Sequence, residues 1–171
     1  MLEAAILVVF PVLVAFAAAS DLLTMTIPNR VSVMLAAAFL VMALATSMPF
    51  AQLGLHLAAG SLVLAVCFGM FAAGWMGGGD SKVASAIALW FGFSNDLMVF
   101  LIFTAFYGML LTLVLLSARA QMPYLPGLLR KQEWALRLHD SRSGIPYGIA
   151  IAVAALQVYP QSIWFKWVSL G

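Results

Sequence analysis

A chain of 171 residues that is 65% hydrophobic and only 8% charged is not a soluble globular domain, because about a quarter of the residues in such domains are charged. Its mean hydropathy of +1.09 predicts an integral membrane protein of the all-α class. The net charge of +2 comes from scattered basic residues and gives no indication of nucleic-acid binding.

The apolar runs predict a single transmembrane domain, residues 1–171, built as a bundle of about six helices, since each span needs roughly 20 apolar residues. In chain order the predicted spans lie near 2–20, 31–48, 55–74, 82–94, 97–117 and 145–160. The first run ends in small residues, as a signal peptide does, but it carries Glu3 and no basic start, so we interpret it as a retained helix. The fourth run, of about 13 residues, would be roughly 20 Å long, less than a hydrocarbon core of about 30 Å. One of its ends is therefore expected to be inset.

The distribution of basic residues predicts how the chain is oriented. Apart from Lys166, every lysine and arginine falls in connections that share one side of the predicted bundle. The positive-inside rule makes that side cytoplasmic, which places both termini on the opposite side of the membrane. The tail, YPQSIWFKWVSLG, carries Tyr159, Trp164 and Trp167 and is typical of an aromatic anchor at the membrane interface.

The longest predicted connection, about 118–144, is the only polar segment of any length. Within it, LLRKQEWALRLHD places apolar side chains among basic ones: Leu128, Leu129, Trp134, Leu136 and Leu138. A short amphipathic helix lying on the membrane surface explains this pattern. A substrate lid or docking site is the alternative interpretation.

Two acidic residues are predicted to lie at the edge of the membrane on the basic side. The apolar pattern continues past Asp21 before the chain turns, so the first helix is expected to include this residue. Asp80 opens the short fourth span, directly after the three glycines at 77–79. Glycines there would permit unusual backbone dihedral angles and let a substrate backbone come close to the acid.

A pair of acids at this depth suggests hydrolytic chemistry, because intramembrane acids are costly and tend to be functional. In such a pair one carboxylate can take a proton from the attacking water. The other, kept protonated by their mutual repulsion, can donate to the scissile carbonyl. The plainer alternatives are that Asp80 caps a helix and that Asp21 is a charge at headgroup level. With two histidines on opposite predicted sides and one cysteine, Cys67, neither a metal nor an organic cofactor is expected.

Three segments carry a family resemblance: SDLLTMTIPNRVS, GGGDSKVASAIALWFG and IPYGIAIAVAAL. In this order they resemble the prepilin peptidases, a group of GxGD-type aspartyl proteases, and most of all the short CpaA/TadV type without a methyltransferase domain. The residues that carry the resemblance are Asp21, Ile27, Pro28, Asn29 and Arg30, then Gly77, Gly79, Asp80 and Lys82, and finally Pro146, Tyr147 and Gly148.

The resemblance implies a six-helix membrane protease with Asp21 and Asp80 as its catalytic aspartates. It implies removal of the basic leader peptide from type IV or Flp-type prepilins and pseudopilins at the cytoplasmic face. Membrane lipids and a pilus or secretion machinery are the other implied partners. Longer relatives carry a methyltransferase domain with zinc-binding cysteines, so N-methyltransferase activity is not expected of a chain whose only cysteine is Cys67.

Further residues near the two acids are candidates for an active-site loop or for substrate contacts: Gly77, Gly78, Gly79, Lys82, Pro28, Asn29, Arg30 and Tyr147. Lys82 and Arg30 could tune the carboxylates or hold an acidic substrate residue, or they could simply be positive-inside charges. Pro28 is expected to end the first helix and Asn29 to cap the second. Tyr147 is expected either to hydrogen-bond within the cleft or to lie at the interface.

Two functions of other classes remain open from the residues alone. A small proton- or ion-coupled channel or transporter subunit could use the same two acids as relay groups or ion ligands. The near absence of ionisable residues from the second, third and fifth predicted spans counts against it. The third possibility is a scaffold of a secretion machine, in which the acids serve only topology.

Overall fold

The computed structural model describes residues 1–122, 126–127 and 129–170. In chain order its α-helices are α1 (Leu2–Thr24), α2 (Asn29–Ala45), α3 (Phe50–Ala72), α4 (Gly78–Phe91), α5 (Asn95–Gln121), α6 (Glu133–His139), α7 (Tyr147–Val158) and α8 (Ile163–Leu170). Short 3-10 helices cover Leu129–Lys131 and Tyr159–Gln161. The described residues contain no β-strand, which confirms the predicted fold class.

The described part of the chain contains four segments long and apolar enough to cross a membrane: Leu2–Thr24, Phe50–Ala72, Asn95–Gln121 and Tyr147–Val168. The helix α2 is apolar but shorter, at 17 residues, and α4 has 14. The six predicted spans thus correspond to four long segments and two short helices. Together they form the helical membrane bundle that the composition predicts.

The short helix α4 is the centre of the bundle. It packs along α3 and also against α2 and α7, while α1 and α5 both pack on α7. Between Ser81 and Phe91 only Lys82 and Leu89 are not fully buried. Small side chains permit this close packing: the Ser85 hydroxyl donates to the carbonyl of Gly60 at 2.8 Å, and a Cβ at Gly60 would collide with Leu89.

An aromatic cluster fills the end of the bundle where α4 finishes. Phe10 stacks on Tyr159 with ring centroids 4.2 Å apart, and Trp90 lies 5.0 Å from Phe10 and 5.1 Å from Trp164. The polar groups of these rings donate hydrogen bonds to backbone carbonyls. The Tyr159 hydroxyl donates to Ile6 at 2.7 Å and the Trp164 indole N–H to Trp90 at 2.7 Å.

This cluster corrects the predicted interfacial anchor. Tyr159 and Trp164 are 3% and 2% exposed, so they belong to the core. Trp167, at 39%, is the exposed member of the predicted set. The physical reason is that a backbone carbonyl satisfies a buried ring hydroxyl or N–H as well as water does.

The turn between α1 and α2 is also built differently from the prediction. The helix α1 does include Asp21, as expected, but it ends at Thr24, and Met25 follows in the left-handed conformation with a φ of 55°. Pro28 does not end α1. It is the N-cap of α2, and Asn29 is the first residue of that helix instead of its cap.

In the predicted 118–144 connection, α5 continues to Gln121 and α6 supplies a short helix. Leu128 lies outside the described residues. In α6, Ala135 is buried whereas Leu136 is 47% exposed.

Candidate active site

A cavity of about 820 Å³ opens at the opposite end of the bundle from the aromatic cluster. The ends of α1 and α3 and the beginnings of α4 and α7 meet here, and one side is formed by α5 from Phe100 to Arg119. Asp21 and Asp80 both line this cavity. Residues that are 59 positions apart in sequence therefore line one cavity.

Asp21 is held in place by the start of α7. It is 5% exposed, and its Oδ2 accepts the backbone N–H of Gly148 at 2.7 Å. A Cβ at position 148 would lie 2.8 Å from that oxygen and 2.8 Å from the Cδ1 of Ile27. Glycine is the residue that allows this approach, because its backbone carries no side chain.

Asp80 lies in the first turn of α4. Gly77 is the N-cap of this helix, so the interpretation of Asp80 as its N-cap is wrong. The carboxylate instead lies back against Gly77, in the position that the acidic partner of a capping box takes. A Cβ at Gly77 would lie 2.7 Å from the Asp80 Oδ2.

The other two glycines of the GGGD stretch contact different neighbours. A Cβ at Gly78 would meet the ring of Phe71 at 3.3 Å, and one at Gly79 would meet the Cβ of Ile27 at 3.3 Å. The described glycines with positive φ are Gly74 and Gly92, so the expected unusual dihedral angles do not occur at 77–79. These glycines serve close packing.

The two carboxylates are close enough to interact electrostatically. Tyr147 and Gly77 line the same cavity, and the Tyr147 hydroxyl donates to the carbonyl of Thr104 at 3.5 Å. Two acids in one partly enclosed space can share a proton, which gives an acid and a base for the same reaction.

Other predicted residues lie elsewhere. Lys82 donates to the Oδ1 of Asn29 at 2.8 Å, and both line a separate groove between α2, α3 and α4. Pro28 and Arg30, in the turn before α2 and its first turn, are not among the described residues that line the cavity. The alternative in which Lys82 acts beside the two acids therefore finds no support in this arrangement.

Arg119 is a cavity residue that the sequence reasoning treated only as a topology charge. Its Nε donates to the carbonyl of Leu138 at 2.8 Å, and its Nη2 donates to Gly144 at 3.2 Å and Ser143 at 3.4 Å. The arginine thereby fastens the segment before α7 to α5. The sequence feature that could have identified Arg119 is its position as a single arginine near the end of a long apolar helix.

The described residues contain no group of three histidine, cysteine or acidic side chains that could hold a metal ion. His56 is buried in the core, where its Nδ1 lies 2.6 Å from the carbonyl of Leu89 and its ring stacks on Phe39. Its contacts are those of a packing residue.

The sequence profile of the type IV leader peptidase family matches residues 8–115, which is more than half of the chain. The chain belongs to this family. The match confirms the resemblance to prepilin peptidases and covers both Asp21 and Asp80, while Arg119 and Tyr147 lie beyond it. No curated protein and no solved structure matches the chain.

Proposed function

We propose that this membrane peptidase is an aspartic endopeptidase that removes the basic leader from type IV or Flp-type prepilins and pseudopilins. Asp21 and Asp80 are its catalytic pair. One observation carries the proposal: in a chain of the type IV leader peptidase family, two acids from helices far apart in sequence line one cavity.

The chemistry requires one proton on the pair. The ionised carboxylate takes a proton from a water molecule, whose oxygen adds to the scissile carbonyl carbon while the protonated carboxyl donates to the carbonyl oxygen. The first carboxyl then passes the water's proton to the scissile nitrogen, and the second takes a proton back from a hydroxyl of the tetrahedral intermediate. The C–N bond breaks and the new amino terminus leaves, with one proton again on the pair. The Gly148 N–H binds one oxygen of Asp21 and so restricts the orientation of this carboxylate, which lines the cavity.

The proposed site of action is the cytoplasmic face of a bacterial inner membrane, with both termini periplasmic, as the basic connections predict. A substrate with an apolar helix in the bilayer and a basic leader in the cytoplasm presents its scissile bond at this boundary. Membrane lipids surround the enzyme, and a pilus or secretion machinery would receive its product. The proposal covers leader removal alone, without N-methylation and without a cofactor.

The test is cleavage of a labelled prepilin in proteoliposomes by Asp21→Asn and Asp80→Asn. Each variant should lose cleavage, because an amide cannot exchange the proton. In Asp21→Asn the side-chain amide oxygen could still accept the Gly148 N–H, so folding should be kept. Asp96→Asn is the matched control, because Asp96 lies in the first turn of α5, away from the cavity, and should leave cleavage unchanged.

Cleavage that persists in both cavity variants would overturn the proposal. Loss of proton flux, in place of loss of cleavage, would point to the channel alternative.

A further inference from the structure

A second, apolar opening adjoins the cavity between α3 and α5. It has a volume of about 510 Å³, and we call it the α3–α5 groove. Its walls include Leu62, Val66 and Met70 on α3 and Leu97, Met98 and Leu101 on α5. No described residue that lines it carries a charge.

The groove exists because two packed pairs of helices are separated there. The helix α3 packs along α4, and α5 packs along α7, whereas α3 and α5 barely touch each other. The exposed side chains on the two walls are large and apolar, including Val66 at 56% and Met98 at 59%. The apolar side chains of α3 and α5 that face the groove are thus not covered by another described helix.

The α3–α5 groove is continuous with the cavity that holds the two acids. Cys67, Met70 and Leu101 line both spaces. From these shared residues the cavity extends toward Arg119 and the polar serines 141 and 143, and the groove extends the other way toward Asn95. A cavity that includes charged and polar side chains and a groove without any charge therefore meet beside the carboxylates.

We infer that the α3–α5 groove is the docking site for the transmembrane helix of the substrate, with the leader side of the substrate in the polar part of the cavity. This inference rests on the proposed function. On α3 the groove extends from Leu62 to Met70, about 12 Å or two helical turns, which is enough to seat the start of an apolar helix.

The lining suits such an occupant. In a membrane, helices associate through van der Waals packing, since lipid tails are as apolar as their side chains. Two methionines on the walls, Met70 and Met98, can adapt to different apolar surfaces. The same groove could therefore accept several substrates that share an apolar helix and differ in its side chains.

The first experiment fills the groove. Val66→Trp should lower kcat/KM for a full-length prepilin by about tenfold. Val41→Trp is the matched control, because Val41 on α2 is 60% exposed and lines none of the described pockets. A soluble peptide that contains the scissile bond but no apolar helix should be cleaved equally by both variants. Equal cleavage of the full-length substrate by both variants would overturn the inference, as would a parallel loss with the short peptide.

The second experiment uses Val66→Cys as a probe inside the groove, because Val66 is 56% exposed, together with Cys67→Ser, which removes the one native and buried cysteine. In a background that also carries Asp80→Asn, single cysteines placed along the apolar helix of the prepilin should form a disulfide with the thiol of Val66→Cys at one position, or at two positions one helical turn apart, because a disulfide needs Cα atoms within about 7 Å. The same background without Val66→Cys should give no such products. Disulfides at no position, or only between two copies of the enzyme, would overturn the inference.

These outcomes separate the groove from the catalytic pair. If Asp21→Asn and Asp80→Asn abolish cleavage while Val66→Trp does not reduce it, docking in the groove is wrong and the proposed function stands. If the aspartate variants cleave normally, the catalytic proposal is wrong whatever the groove variants do.

Discussion

The two ends of α4 lie in opposite environments. At its C-terminal end Trp90 is fully buried among Phe10, Phe39 and Trp164, with every ring N–H or hydroxyl in the cluster bonded to a backbone carbonyl. At its N-terminal end Asp80 lines a cavity of about 820 Å³. One helix thus joins a close-packed aromatic end to an open, polar end.

This difference indicates a division of labour along the bundle. The aromatic end supplies stability, because large rings bury much apolar surface and contact one another favourably. The open end lacks this close packing and instead has a cavity with space for water and substrate beside the two carboxylates. Substitutions at the two ends should therefore separate stability from cleavage.

The largest expected effect is on stability at the aromatic end. Trp90→Ala would remove a fully buried ring and should lower the free energy of unfolding by about 3–5 kcal/mol. Thermal unfolding in detergent measures it. Trp75→Ala is the matched control, since Trp75 is 79% exposed and its loss should change stability by about 0.5 kcal/mol or less. Equal effects of the two substitutions would contradict the proposed role of the cluster.

The next effect is on cleavage at the open end. In Gly148→Ala the new methyl group would press on the Asp21 oxygen and on Ile27, each 2.8 Å from the Cβ position. Displacement of the carboxylate should reduce the cleavage rate by about a hundredfold. Gly54→Ala is the control, because nothing lies within 4 Å of a Cβ at Gly54. A Gly148→Ala enzyme with a normal rate would show that the Gly148 contact does not position Asp21.

A smaller effect is expected from the arginine that fastens the segment before α7. Arg119→Lys cannot reproduce three hydrogen bonds from one planar group, so cleavage should fall by about tenfold. Hydrogen exchange at residues 138–145 should become faster. Arg137→Lys is the control, because its ion pair with Glu133 is exposed. Unchanged exchange in Arg119→Lys would refute the fastening role.

The smallest effect is expected at Lys82. Its ammonium group bonds to Asn29 in a groove apart from the cavity, so Lys82→Gln should change the cleavage rate by about twofold or less. Prepilin cleavage at equal enzyme concentration measures it. A reduction of the cleavage rate as large as that expected for Gly148→Ala would show that Lys82 takes part in the reaction.

Local patterns were enough to predict the fold class and to single out the two acids. Asp21 and Asp80 stood out because charges are rare in this chain, and the apolar run past Asp21 correctly extended the first helix. The features that local sequence patterns did not predict are those that depend on tertiary packing. An indole N–H, as in Trp164, looks interfacial until a distant carbonyl is known to accept it.

The same limit explains the mixed outcome for the candidate site residues. Proximity in sequence placed Lys82 beside Asp80, but the helix turns it toward α2. Arg119 and Gly148 are 39 and 68 positions from Asp80. Through the packing of α5 and α7, Arg119 lines the cavity and Gly148 binds Asp21. The positions of these residues along the chain give no indication that they lie close together in the fold.

The most direct test of a joint catalytic pair compares prepilin cleavage by Asp21→Asn, Asp80→Asn and the double variant. Groups that act as one unit are non-additive, so both single variants and the double variant should fall to the same residual rate. Two partial losses that multiply in the double variant would show that the acids act independently, and would contradict a shared proton between them.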